Sequence, residues 1–462
     1  MRGDIRERTD VNYSASSILV SKRYANPNYV LTPLRRVIHT AQYGISLPAT
    51  EEPIGIPMIR MNNLQNDGWD LTDLKYIELS EKEIELYRVN SGDILFNRTN
   101  SKELVGKCEV FGEEGDWVFA SYLIRIVLDQ TTAIPEFVSA FLSTKAGRIQ
   151  IDRVSRQIIG MSNVNAEELQ DLLIPLPPIE IQRSLVAEIE AARQSRKQKL
   201  AQADELLSRL DGHLLDQLGL NMPEESDKSV FAIRLGQVKT KLDSYSNQPR
   251  FRKLIQRLQS HEFPVEQLNS LAIDIFSGTT PKSGGDAYTE SLEGIPFIRS
   301  GEITKDGRVT EDNAIFIKPE IHDGLMHRSQ LQQGDLLIAI VGATIGSVGV
   351  YNRPNPANIN QAIAAVRLDC KQVLPDFARW FLSSPIGQSI LDYLKRPVAR
   401  ANINLEEIGE ILILIPPLEI QRSVIEQVDH ARQETRRLRQ EAETEWEYAK
   451  TRFERKLLGE EV

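Results

Sequence analysis

The chain has 462 residues and a formal net charge of −10, with 41% hydrophobic and 26% charged residues. That length exceeds what one core usually holds, so two or three domains are expected, and the composition excludes a disordered chain. Two cysteines, Cys108 and Cys370, and six scattered histidines exclude a disulfide framework and offer no metal-ligand spacing.

A cytoplasmic protein is expected. Met1 to Asp10 alternates charges where a secretory signal needs an apolar run, and no stretch of about 18 apolar residues stands anywhere to cross a membrane.

Taken in chain order, Ile56-Pro57-Met58-Ile59-Arg60 reads as a short strand, and the loop after it carries Arg60, Asn62 and Asn63. Ser91 to Phe96 reads as a tight Gly92-Asp93 turn feeding a buried strand. The following hairpin carries Arg98, Lys102 and Lys107. Pro135 to Gln150 then sets Phe137, Phe141 and Leu142 at helical spacing behind a first-turn proline. Thr144 to Asn165 holds Lys145, Arg148, Arg153 and Arg156 against one acid, Asp152, and adds Gln157.

After Pro177-Pro178 come some forty residues without proline and almost without glycine, which predicts a long helix over 177–218. Its apolar seam runs through Leu185, Ile189, Leu207 and Leu214 and is interrupted by Arg196. Residues 219–229, with Pro223 and an acidic run, read as a linker between a first globular domain, 1–176, and a second, 230–415.

The second domain repeats the first. Ile295-Pro296-Phe297-Ile298-Arg299 answers Ile56 to Arg60, and Gly334-Asp335-Leu336-Leu337 answers Gly92 to Leu95. Pro375 to Leu394 is the second helical stretch, with Phe377, Trp380 and Phe381. Asn402-Ile403-Asn404 matches Asn163-Val164-Asn165. Pro416-Pro417-Leu418-Glu419-Ile420-Gln421-Arg422-Ser423 differs from Pro177 to Ser184 only by Leu for Ile. A second long helix, 416–458, comes next, with Val424, Val428, Leu438, Trp446 and Phe453 on its seam.

A period this long marks a duplicated domain rather than a solenoid. The predicted class is α+β: two α/β domains with helices on a mixed sheet, joined by two long antiparallel helices in a coiled coil, with pseudo-two-fold symmetry. Each helix of about 40 residues would be roughly 60 Å long.

These motifs resemble those of the specificity subunits of type I restriction-modification enzymes. The resemblance covers almost the whole chain: two variable domains, each with a Gly-Asp-Ile-Leu-like strand, and each followed by a helix opening on a Pro-Pro-Leu-x-x-Gln-like motif. Gly342-Ala343-Thr344-Ile345-Gly346 matches a hairpin that many members carry, whereas Asn97 to Ser101 departs from it. The resemblance implies that each domain reads one half of a split, asymmetric target in double-stranded DNA while the helices set the gap. It further implies that two methyltransferase subunits dock on the chain, that motor-nuclease subunits complete the complex, and that the chain itself has no catalytic residue, metal or cofactor.

Phosphates call for cations and base edges for a few polar side chains. The candidates are therefore Arg60, Asn62, Asn63, Arg98, Lys102, Lys107, Lys145, Arg148, Arg153, Arg156 and Gln157 in the first module. Arg299, Lys305, Thr344, Lys395, Arg396 and Arg400 are their counterparts in the second. The acidic balance counts against DNA binding as a whole-chain property, but local cationic islands set the local field.

No Gly-x-x-x-x-Gly-Lys-Ser/Thr loop and no Asn/Asp-Pro-Pro-aromatic string occurs, which leaves motor and amino-methyltransferase chemistry to partners. Two other readings fit the same features. One is a DNA-reading subunit of another restriction or defence assembly; the other is a coiled-coil adaptor with duplicated protein-binding domains, which would lack salt-dependent DNA affinity.

Overall fold

The computed structural model describes residues 29–65, 68–101, 104–158, 161–220, 245, 248–282, 285–290, 294–304, 306–311, 315–395 and 402–460. Two compact units emerge: the first from the chain up to Ala203 together with Arg437 onward, the second from Asp204 to Arg436. The division falls inside both long helices. Of the expected 219–229 linker, positions from 221 on lie outside the described residues.

Each unit is built on a four-stranded antiparallel sheet. In the first the strand order is Ile38–Tyr43, Leu123–Leu128, Ile94–Asn97, Cys108–Val110; in the second it is Ala272–Ser277, Ile363–Leu368, Leu336–Ala339, Val348–Val350. The strand after each Gly-Asp turn is central and wholly buried. Gly92 and Gly334 take φ of 92° and 94°, a region that costs other residues energy and explains glycine before each of these strands.

Among the described residues the central sheets contain no parallel pair. Parallel strand pairs occur in a separate sheet of each unit, where Ile56–Ile59 lies beside Val118–Phe119 and Ile295–Ile298 beside Asn358–Ile359. The single mixed sheet expected from sequence is thus divided, because in each unit the Ile-Pro-x-Ile strand belongs to a sheet apart from the central one.

Helices Pro135–Ser143 and Pro375–Ser383 cover one face of the respective central sheets and bury Phe137, Phe141, Phe377, Trp380 and Phe381. Full burial of each such side chain contributes about 1.5–3 kcal/mol. The two long helices span Ile179–Gln217 and Leu418–Leu458.

Within the first unit, Leu185 and Ile189 share a core with Phe453 and Leu457. Ion pairs Glu188–Lys456 and Arg196–Glu443, both 2.5 Å, run antiparallel along the same helix segments. The seam arginine is therefore neutralised from the facing helix. Within the second unit Leu214 and Leu218 share a core with Val424 and Val428, and Gln217 meets Gln427 at 3.4 Å, again antiparallel. Leu207, Leu438 and Trp446, expected in the seam, are only half-buried. Among the described residues no helix is long and apolar enough to cross a membrane.

The repeated motif glutamine is the joint between sheet domain and long helix. Gln182 is fully buried; its Oε1 accepts from the Ile134 N–H at 2.9 Å, and its Nε2 donates to the carbonyls of Thr132 and Pro177 at 3.0 and 2.8 Å. Gln421 repeats all three bonds, with the Leu374 N–H and the carbonyls of Gln372 and Pro416 at 2.9, 2.9 and 2.8 Å.

Cys108 is buried among these elements, and burial pushes its thiol up to about 12, whereas Cys370 is exposed. Since the thiolate is the reactive form, maleimide is expected to label one thiol per native chain, Cys370, and both in denaturant. Mass spectrometry finding Cys108 labelled at native-state rates would contradict this packing.

Candidate nucleic-acid interface

The first cationic stretch starts at a sharp helix-to-helix corner, and the second unit has the equivalent corner at the start of the helix that leads to Lys395. Thr144 caps helix Lys145–Val154 by accepting from the Gly147 N–H at 3.3 Å, and Ser384 caps Pro385–Leu394 by accepting from the Gly387 N–H at 3.3 Å. Apolar residues of both helices turn inward, and Lys145 is left exposed.

Beyond each helix the chain returns to the hairpin of the Gly-Asp strand. In the first unit the Val164 N–H donates to the Arg98 carbonyl at 2.9 Å. In the second the Ile403 N–H donates to the Ile340 carbonyl at 3.0 Å. One backbone hydrogen bond thus joins two sequence-distant candidate segments at equivalent places in both modules.

In the first unit this contact extends into a small sheet. Strand Met161–Asn163 lies between Arg156–Ile158 and Thr99–Asn100. The backbone therefore puts Arg156 and Gln157 on a hairpin beside Arg98. The Arg98 guanidinium stacks 4.6 Å from the Tyr43 ring centroid and donates to Asn163 Oδ1 at 3.2 Å, so it orders the hairpin. Asn100 Nδ2 reaches Met61 Sδ at 3.6 Å, which brings the turn holding exposed Asn62 to the same edge.

Other candidates are turned to internal work. Asn63 is 1% exposed; its Oδ1 accepts from the Arg60 N–H, and its Nδ2 donates to the Asp70 and Asp73 carbonyls, so its amide is closed to any base edge. Arg60 is held by Asp73 at 3.1 Å and Arg299 by nearly buried Glu302 at 2.7 Å.

Arg148 donates to the Val105 carbonyl at 2.6 Å. With Lys107 it faces a cleft of about 360 Å³ that also takes Arg193, Trp446 and Lys450 of the long helices. Burial, and then Arg148, push Lys107 below the ordinary lysine range. Arg153 is half-buried.

In the second unit Gln388 Nε2 donates to the Gly346 carbonyl at 2.9 Å, which holds the hairpin tip and half-exposed Thr344 against the second corner. Lys395 pairs with Asp392 at 2.5 Å beside that tip. Lys102, Lys305, Arg396 and Arg400 lie outside the described residues.

Sequence reasoning missed the buried carboxylates of the Gly-Asp turns. Asp335 accepts two bonds from Arg367 at 2.9 and 2.8 Å, and Asp93 lies 3.8 Å from Arg125. The arginines stand one strand away, opposite the turns, which spacing along the chain does not reveal. Among the described residues, no group of three or more His, Cys, Asp or Glu side chains is arranged to hold a metal ion.

Comparison with known proteins gives a consistent pattern. The family described as "Type I restriction modification DNA specificity domain" matches residues 42–202 and again 268–443. The type I restriction enzyme EcoBI specificity subunit of Escherichia coli is 26% identical over 294 residues, which is 63% of this chain and 57% of that protein. The alignment thus spans little more than half of that relative's length. The putative type I restriction enzyme MjaX specificity subunit of Methanocaldococcus jannaschii is 22% identical over 398 residues, covering 85% of this chain and 84% of that one. A solved structure from work on complex assembly and conformational transition of the type I R-M system superposes with a TM-score of 0.52 at 18% identity. It covers 94% of this chain and 97% of that one, and so shares the fold.

Proposed function

This chain belongs to the type I restriction modification DNA specificity domain family, as a specificity subunit with two recognition domains, and from that premise we propose that each compact unit reads one half of a split, asymmetric duplex target. The hairpin edge would meet the DNA: in the first unit Asn62, Lys145, Arg156 and Gln157, with Arg98 as the ordering residue; in the second Thr344, Lys395 and the residues around them. Cations there fix the register on phosphates, and the amide and hydroxyl groups are the ones suited to base edges.

The paired helices set the spacing of the half-sites and carry two methyltransferase subunits, with motor-nuclease subunits completing a complex that acts in the cytoplasm. The chain itself chooses the address and performs no bond-breaking step. The observation that carries this reading is the matched backbone bond, Val164 to Arg98 and Ile403 to Ile340. It builds the same edge twice out of residues that otherwise differ.

The test is to co-express the chain with the methyltransferase encoded beside it and map methylated adenines across the genome. A two-part motif with a fixed gap is expected, and exchanging residues 230–415 for those of a relative should change one half only. An active, intact complex that leaves no motif would overturn the proposal in favour of a protein-binding adaptor.

A further inference from the structure

The two units differ at one equivalent place, and the difference changes its chemistry. Each long helix carries an arginine facing its own recognition domain, Arg193 in the first unit and Arg432 in the second, related by the repeat that relates Gln182 to Gln421. In the first unit strand residue Glu109 meets Arg193 at 3.0 Å and closes an ion pair. Register through the central strands puts Gly349 at the place of Glu109, since Leu95 faces Glu109 as Leu337 faces Gly349. The second unit has therefore lost that carboxylate.

It has also gained a cation. Helix position Ser139 of the first unit corresponds to Arg379, which is 4% exposed. Arg379 gives Nε to Asp376 at 3.2 Å, but its buried Nη1 has no hydrogen-bond partner. Arg379 and Arg432 line a cleft of about 420 Å³ with exposed Arg436 at its rim, within the size range of small-molecule sites.

Three aspartates also line it. Asp306 is engaged by Arg308 at 2.7 Å, Asp376 by Arg379, and Asp429 lies one turn before Arg432. Burial, and next the charge of Arg379, push the Arg432 guanidinium down to about 10. Asp306, Asp429 and Asp211 offset this only in part. A buried guanidinium with an unused N–H and a half-buried one, sharing a cleft, call for an anion with several acceptor oxygens.

We propose that this cleft of the second unit is a binding site for a phosphate-class oxyanion, held by Arg379 and Arg432 and closed at the rim by Arg436. A phosphate dianion matches it better than a single carboxylate, because it offers acceptors to both guanidinium forks at once. In the first unit the equivalent arginine, Arg193, is instead held by Glu109.

The test is thermal unfolding of the full-length chain, co-purified with its partner subunits, as inorganic phosphate replaces chloride at constant ionic strength. A saturable rise of the midpoint is expected. Arg432→Gln should weaken the apparent affinity about tenfold, the usual consequence of losing a charged hydrogen-bond donor. Arg379→Ser, which restores the residue of the first unit, should abolish the effect, and exposed Arg209→Gln should leave it unchanged. Should Arg379→Ser fail to fold, Arg436→Gln at the rim is expected to weaken binding without touching the core.

No saturable rise, or the same rise in every variant, would overturn the proposal. A non-target DNA duplex that competes with phosphate identifies the occupant as a backbone phosphate, and one that does not identifies a free phosphorylated molecule.

Discussion

Replacing Gln421 by alanine is expected to destabilise the second unit by roughly 3–5 kcal/mol, with Gln182→Ala doing the same to the first. The reason is that three backbone groups, one buried and two partly buried, share one fully buried side chain. Removing the Gln421 amide strands the Leu374 N–H and the carbonyls of Gln372 and Pro416. A buried polar group without a partner costs about 1–3 kcal/mol, and water entering the space recovers only part of it. Gln421→Met, similar in volume but unable to bond, should be nearly as damaging, which separates bonding from cavity formation. Denaturant unfolding of the purified complex measures both variants. A loss below about 1 kcal/mol would mean that the joint is not where the long helix is secured.

Gly387→Ala should lower the melting temperature of the second unit by roughly 10 °C, equivalent to about 3 kcal/mol for a unit of this size. A Cβ at Gly387 would sit far inside van der Waals distance of the Phe381 carbonyl oxygen and the Leu382 Cα. At the equivalent Gly147 it would stand 2.5 Å from the Phe141 oxygen and 2.6 Å from the Leu142 Cα. These are backbone atoms at the end of the preceding helix, and they cannot swing aside as a side chain would. The corner would have to open, taking with it the Ser384 cap and the Gln388 bond that holds the hairpin tip. Calorimetry of the single variant and of Gly147→Ala should show matched losses, and an unshifted transition would contradict the corner geometry.

The fold was legible in the chain where its cause is local or periodic. Seven identical residues out of eight between Pro177 to Ser184 and Pro416 to Ser423 mark the duplication, and the seam leucines and valines mark the long helices. Turn glycines before Ile94 and Leu336 mark the central strands. What was not legible depends on partners distant in sequence. Gln182 and Gln421 were recognised as a motif, but the groups they bind stand nearly fifty residues earlier.

The candidate interface shows the same division. Cationic stretches were visible by composition, and the structure joins them to the hairpins. Asn63 and Arg299 looked like readers because a lone sequence carries no burial. The Arg299 to Glu302 spacing was a usable sign of an internal pair; the hold of Asp73 on Arg60, thirteen residues away, was not.

The discontinuity of the first unit bears on how the molecule is made. Phe453 packs 5.7 Å from the Phe137 ring, and Leu457 shares the same core, so the first unit is incomplete until residues near 453 exist. The second unit is one uninterrupted stretch, Asp204 to Arg436. Domains emerging from a ribosome normally fold in order from the amino end, but here the second unit is the one whose residues are all synthesised first. The later-made unit can close first, while Leu185, Ile189 and Phe137 of the earlier one wait with their apolar faces uncovered. Throughout that interval the nascent chain presents a sticky groove shaped for its own last helical turns, which makes it a natural client for chaperones and makes a ribosome stalled before residue 453 a source of aggregation.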